Sequence, residues 1–329
     1  GADPGPACYG TGGTAPTVTD ANLLLGYMDA DRLLGGEIQL DTAAARAAIS
    51  PLAGAMAMSE EEAALGILRV ANANMTRALS RITVERGIDG RDCALIAFGG
   101  AGPMHAVAVA RAFGIAKVVV PARSGVFSAL GCVAAEKSYS QQQTLRMESG
   151  EWDSGQVAAA REAVRARLAA PLIAAGHGAD GLKTETVVGV RYSGQSYAVE
   201  IPAPALEDPV ALGRAFRDLH ERLYGFSTDE PWELVGLRLT VSVPRADRSA
   251  FGTDQATGSG PAARTADCVF GPDGPVATPR VGRATLAAAQ QVDGPAIFED
   301  EWSTIVLPPG ASLRADNRGH LHIDVGSAP

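Results

Sequence analysis

Cys93-Ala94-Leu95-Ile96-Ala97-Phe98-Gly99-Gly100-Ala101-Gly102-Pro103-Met104-His105 is the stretch on which the fold turns. Residues 93–98 are short, apolar and bounded by turn formers, which predicts a buried strand. Glycines follow, Pro103 suits a first helical position, and the predicted helix runs through Phe113 with Gly114 as its stop. A second apolar strand, Lys117-Val118-Val119-Val120, ends at Pro121. Strand, glycine turn, helix and strand make a right-handed crossover unit of an α/β domain. Missing side chains at Gly99, Gly100 and Gly102 let a ligand approach the backbone, and the N–H groups at the helix start favour an anion such as phosphate. A tight turn whose glycines serve packing alone explains the cluster equally well.

Upstream, Ser59 and Glu62 stand in capping-box spacing ahead of a helix predicted to run to about Arg86. Leu65, Leu68, Ala71, Met75, Leu79 and Ile82 recur on it at three- and four-residue steps, a stripe that faces a core. Residues 1–20 are rich in Gly, Pro and Thr and read as an elaborate loop. Asp20 is expected to cap a short helix through Tyr27, and Asp41 an alanine-rich helix ending before Pro51. The chain opens at Gly1 without a methionine, inside a glycine-proline turn, as a piece of a longer polypeptide would.

Beyond about residue 140 the pattern changes. Two amphipathic helices, Gly155–Ala175 and Pro209–Tyr224, alternate with predicted strands at 184–192, 196–201, 233–243, 296–299, 304–307 and 321–325. These are expected to form an antiparallel sheet in a separate mixed α/β domain over 141–329, after an α/β region over 1–140. Residues 252–265, thick with Gly, Ala, Ser and Thr, read as a flexible surface connection.

The 329 residues are 46% hydrophobic, enough for a sizeable core, and carry 37 acidic against 28 basic side chains, a net charge of −9. Without a basic stripe or a stacking platform, nucleic acid is not an expected partner. No run reaches the length of a membrane span. Cys8, Cys93, Cys132 and Cys268 lie far apart with no C-x-x-C pair, so neither a disulfide framework nor structural zinc is expected and a cytoplasmic setting is the simpler reading.

Several side chains are candidates for chemistry. His105, at the start of the helix after the glycine loop, can hydrogen-bond a phosphate or a developing oxyanion, with the helix dipole holding it neutral; a histidine satisfied by nearby backbone is an equal alternative. Asp20 can position a magnesium-bound water or simply cap its helix. Arg191, Tyr192 and Gln195 flank a predicted hairpin turn, where a guanidinium and an amide can read a carboxylate or lactam, although ordinary hairpin chemistry ranks ahead. Cys8 reads as a packing residue. His177, His220, His320 and His322 are expected at the surface or an interface.

The segment Ala97-Phe98-Gly99-Gly100-Ala101-Gly102-Pro103-Met104-His105-Ala106 resembles the adenosine-contacting segment of the hydantoinase A/5-oxoprolinase family. Gly5-Pro6-Ala7-Cys8-Tyr9-Gly10-Thr11-Gly12-Gly13, followed by Pro16-Thr17-Val18-Thr19-Asp20-Ala21-Asn22, resembles a second signature. Ser124–Gly131, Arg191–Tyr197, Gly294–Ile297, Ser303-Thr304 and Pro308-Pro309-Gly310 continue the likeness in order.

The resemblance implies part of an actin-like ATPase domain followed by a strand-rich mixed α/β domain. It implies nucleotide contacts at Gly99, Gly100, Ala101, Gly102 and Pro103, and a phosphate or substrate loop at Gly10, Gly12, Gly13, Asp20 and Asn22. The implied cofactors are ATP with Mg2+ or another divalent cation. The implied reaction is ring opening of a cyclic amide such as a hydantoin, 5-oxoproline or a lactam, with ketone carboxylation as an alternative and a non-catalytic assembly subunit as a third reading. A hydantoinase B-type subunit is the implied partner. The family's upstream phosphate-binding motifs do not occur here, so the N-terminal region that carries them is a second implied partner.

Overall fold

The computed structural model describes residues 3–31, 39–203, 206, 208–244 and 264–326. Helices are α1 (Val18–Leu24), α2 (Thr42–Ala55), α3 (Glu60–Glu85), α4 (Gly102–Phe113), α5 (Phe127–Ala134), α6 (Ser154–Ala174) and α7 (Pro209–Tyr224). Strands are β1 (Ala94–Ile96), β2 (Lys117–Val120), β3 (Lys137–Glu148), β4 (Lys183–Tyr192), β5 (Val199–Pro202), β6 (Trp232–Val243) and β7 (Arg264–Val269). They continue with β8 (Pro275–Gly282), β9 (Gln291–Asp293), β10 (Ala296–Glu299), β11 (Thr304–Leu307), β12 (Ser312–Ala315) and β13 (Leu321–Asp324). Among the described residues no helix is long and apolar enough to cross a membrane.

Two compact units emerge, one built from residues 1–133 and 251–329, the other from 134–250. This division differs from the expected boundary near 140, because the last strands return to the first unit instead of extending the second. β13 pairs antiparallel with β2, placing Ile323 opposite Val118, and completes a five-stranded sheet of order β1-β2-β13-β12-β9. β1 and β2 are parallel, as a crossover through α4 requires. A second sheet of order β11-β10-β8-β7 is mixed, with β10 parallel to β8.

The apolar face of α4 explains its seat. Ala106, Val107 and Ala110 bury against Val118, Val120, Ile305, Leu313 and Ile323 in one continuous cluster. Beside it, Ala21, Leu24, Ile49, Ala64 and Leu68 of the first three helices pack with Ile297 and Val306. The predicted stripe on α3 is covered only over its first half. α1, α2 and α4 pack against this helix, yet Met75 and Ile82 remain exposed. α2 continues through Pro51, with Ile49 and Ala53 buried on either side of it.

Arginines fasten the returning segment. Arg111 at the end of α4 donates to Val325 O at 2.8 Å and Pro309 O at 2.9 Å. Arg280 is buried, pairs with Glu299, and donates to Gly26 O and, at 3.2 Å, to Met28 O. Arg283 reaches Val120 O, Pro121 O and Gly319 O at 3.1, 2.7 and 2.9 Å, and Ser124 Oγ at 3.2 Å.

The second unit is an antiparallel sheet of order β3-β6-β4-β5, over which α6 and α7 bury Val164, Leu172, Leu212 and Phe216. The surface connection expected at 252–265 lies outside the described residues, apart from Arg264 and Thr265, which open β7.

Candidate functional site

The first loop is organised by one carboxylate. Asp20 is fully buried. Its Oδ1 accepts from Cys8 N–H at 2.8 Å, and its Oδ2 accepts from Ala7 N–H at 3.3 Å, Thr17 N–H at 2.9 Å and the Thr17 hydroxyl at 2.7 Å. Thr17, not Asp20, is the N-cap of α1; Asp20 sits three residues inside the helix and closes a capping box. Burial pushes its carboxyl upward, but the donors from Thr17 and Cys8 outweigh burial and hold it below the ordinary aspartate value. Cys8 is pushed up to about 12 by burial and by the neighbouring Asp20, so it is an inert packing thiol.

Both Asp20 oxygens accept hydrogen bonds from the loop, and the side chain is closed off from solvent. Among the described residues no group of three or more His, Cys, Asp or Glu could hold a metal ion. Asn22 is buried beside it. Its Nδ2 donates to Val18 O at 2.9 Å, while Oδ1 finds no partner among the described residues. Gly10 and Gly12 take positive φ values of 68° and 97° and face open space, whereas a Cβ on Gly13 would lie 2.2 Å from Gly5 O.

The glycine turn between β1 and α4 is pinned from two sides. Gly99 N–H donates to Ser124 O at 2.8 Å, Ser303 Oγ donates to Gly99 O at 3.1 Å, and Thr304 N–H donates to Gly100 O at 3.3 Å. Gly99 has φ of 86°, and a Cβ at Gly99 or Gly102 would project into open space. Among the described residues the N–H groups of Gly100, Ala101 and Gly102 find no protein acceptor. Three such donors at a helix N-terminus suit an anion such as a phosphate oxygen. Pro103 lies in the first turn and presents no N–H. Met104, next in sequence, packs into the cluster of Cys8, Leu23, Met28, Leu40 and Ala45, so the roots of the two loops share one core.

His105 faces α3. Its Nδ1–H donates to Asn72 Oδ1 at 2.8 Å, and burial lowers its pKa, so it is neutral at neutral pH with Nε2 left as an acceptor. Asn72, 33 residues upstream, is the partner that sequence reasoning missed; a polar residue in mid-helix gives no sign of what it meets. Asn72→Asp is expected to raise the His105 pKa by setting a carboxylate beside Nδ1–H, read from imidazole NMR shifts over a pH titration; an unmoved titration would show that the pair does not exist.

The remaining candidates belong to other settings. In the second unit Arg191 is spent on Glu233 at 2.8 Å, and Gln195 Nε2 lies 3.5 Å from His220 Nε2. His220 is not at the surface as expected. It is buried among Tyr192, Phe216, Tyr224 and Phe226, with Nδ1 bonded to Phe226 O at 2.8 Å, because α7 turns that face inward. His320 Nδ1 accepts from Ala122 N–H at 3.0 Å, and His322 pairs with Asp316 at 3.0 Å. A shallow cleft between the C-terminal ends of α3 and α4 is lined by Thr76, Ser80, Thr83 and Phe113, but its hydroxyls bond back to their own helix.

The family model for "Hydantoinase/oxoprolinase" matches residues 1–141. The caprolactamase subunit alpha of Pseudomonas jessenii is 34% identical over 96% of this chain, which covers 47% of that subunit. The acetophenone carboxylase gamma subunit of Aromatoleum aromaticum is 31% identical over 97% of this chain, which covers 46% of it. The crystal structure of the ATP-dependent caprolactamase from Pseudomonas jessenii superposes with a TM-score of 0.81 at 33% identity, over 99% of this chain and 49% of that one. The chain therefore spans about half the length of these relatives. The fold is part of an actin-like ATPase-type architecture with a strand-rich mixed α/β C-terminal portion.

Proposed function

Since the chain belongs to the hydantoinase/oxoprolinase family, we propose that it forms the base-and-ribose side of an ATP cleft in a cyclic-amide ring-opening hydrolase. The single observation that supports this most is the pinned turn at Gly99–Gly102, whose N–H groups at Gly100, Ala101 and Gly102 find no acceptor among the described residues, with room for a ligand at Gly99 and Gly102. Gly100, Ala101 and Gly102 donate to the nucleotide, Gly99 and Gly102 leave room for it, and Pro103 starts the helix whose dipole faces it. Bound ATP would supply a phosphoryl group to the amide oxygen, with ADP leaving, so that the carbonyl carbon, a poor electrophile otherwise, becomes open to attack by water and the phosphate is then released.

Gly10, Gly12 and Gly13 form the neighbouring loop, and Asp20 shapes it. We assign Asp20 no direct contact with a cation, so Mg2+ or another divalent ion would arrive with the nucleotide or be held by other polypeptide. The exposed Met75 and Ile82 on α3 and the open edge of β1 support completion of this region by further chain. A partner subunit of the hydantoinase B type and a cytoplasmic setting belong to the same reading.

The similarity to an acetophenone carboxylase subunit favours a second reading, ATP-dependent carboxylation of a ketone. Isotopically labelled bicarbonate separates the two: label in the product would exclude ring opening. Calorimetry with ADP and ATP, on this chain and on it joined to the preceding portion that longer relatives carry, tests nucleotide binding. Gly102→Val should abolish binding without unfolding, since beyond its own helix and chain neighbours the Cβ meets no described atom within 4 Å. Absence of binding in the joined form would leave an assembly subunit as the surviving reading.

A further inference from the structure

The glycine turn carries a second set of features that sequence reading did not single out. Trp302, from the loop between β10 and β11, abuts the turn: its carbonyl oxygen lies 3.3 Å from where a Gly100 Cβ would stand. Gly125 is pressed against the same residue, since a Cβ there would fall 2.2 Å from Trp302 Cβ and 2.6 Å from its oxygen. Three segments far apart in sequence therefore meet at one point, around residues 98–102, 124–127 and 300–304.

Large apolar side chains stand exposed at this junction. Trp302 is 47% accessible and Phe98, beside Gly99, is 44% accessible, while Val126 is also exposed. Phe98 is braced by Phe127 at 5.2 Å between ring centroids. The loop bearing Trp302 is fixed rather than loose. Trp302 N–H donates to Asp300 Oδ1 at 2.9 Å, Asp300 N–H donates to Ser303 O at 3.0 Å, and Arg283 holds Asp300 at 3.5 Å. An exposed indole on a braced loop, next to unclaimed amides, has the chemistry of a platform for a flat aromatic ring bearing oxygen-rich substituents.

We propose that Trp302 stacks against the purine base of the nucleotide, so that the returning C-terminal segment and not only the glycine turn sets base affinity. This rests on the nucleotide reading above and adds a ligand-contacting residue to it. The indole supplies the π face, the amides of Gly100 to Gly102 take the ribose or phosphate oxygens, and Gly125 is the residue whose lack of a side chain lets Trp302 come this close.

The test uses calorimetry and tryptophan fluorescence with ADP and, separately, inorganic pyrophosphate, on the chain and on its joined form. Trp302→Ala is expected to weaken ADP binding by about 5- to 150-fold, the span for loss of one stacked base, with pyrophosphate binding unchanged. Trp302→Phe should recover most of the affinity, and ADP should alter the fluorescence of the parent but not of the Trp302→Phe form. Thermal unfolding of each variant checks the fold, which this exposed side chain should not disturb. Equal ADP affinity in parent and Trp302→Ala, with no fluorescence response, would overturn the stacking assignment while leaving the nucleotide reading intact. Failure of ADP to bind any form, parent included, would overturn both.

Discussion

Replacing Arg283 by alanine is expected to lower the stability of the first unit by about 3–5 kcal/mol, the range for removing one partner from a buried, hydrogen-bonded ionic cluster. The guanidinium side chain is only 10% exposed and faces Asp300. Its fork also reaches the carbonyls at the end of β2 and Gly319 O, so truncation strands several acceptors together. Ser124 would lose its 3.2 Å contact, and Ser124 O is the acceptor that pins Gly99. On the proposed reading of the glycine turn, nucleotide binding should fall with stability. Arg283→Lys should recover little, because an ammonium cannot span these separate acceptors as a planar fork does. Urea unfolding, with hydrogen exchange at Val118 to Val120 reporting on the first unit, measures this; a loss below about 1 kcal/mol would refute the role.

The second large effect belongs to Asp20. Asp20→Ala leaves the N–H groups of Ala7, Cys8 and Thr17 without their acceptor, and at roughly 1 kcal/mol or more for each stranded donor the loss should reach about 3 kcal/mol. Asp20→Asn keeps the shape and one acceptor oxygen and should fall between the two. The pH dependence has a definite sign. The folded-state pKa lies below the unfolded one, so the stabilisation is complete above about pH 4, the ordinary aspartate range, and drains away as pH falls through the folded value. Acid unfolding of the Asp20→Asn form should lack that component; an identical acid limb would show that the carboxylate does not carry it.

Much of the first unit is legible in the chain itself. The strands around α4 announce themselves because each is short, apolar and bounded by glycine or proline, and the capping box at Ser59 and Glu62 places the start of α3. The cap of α1 was legible too: Thr17 and Asp20 stand three apart, the spacing of a capping box with aspartate as its acid. β3 and β8 are obscure for physical reasons. β3 is an exposed edge strand of Ser and Gln with little alternation, and β8 contains Pro275 and Pro279. Asn72 with His105, Arg283 with Ser124, and Trp302 with Gly125 depend on contacts that no local pattern encodes. The glycine turn could be found from sequence, while the residues that brace and flank it could not.

The return of the C-terminal strands also dictates an order of events during synthesis. Residues 134–250 form a contiguous unit whose strands are all made before the segment that follows. β2, by contrast, waits about 200 residues for β13, and the carbonyls at its end wait for Arg283. Loop closure over such separations is slow, and a nascent chain folds what it already has. The inserted unit is thus complete on the ribosome while the glycine turn beside β1 is still unbraced, and the turn gains its final shape only as β10 to β13 emerge.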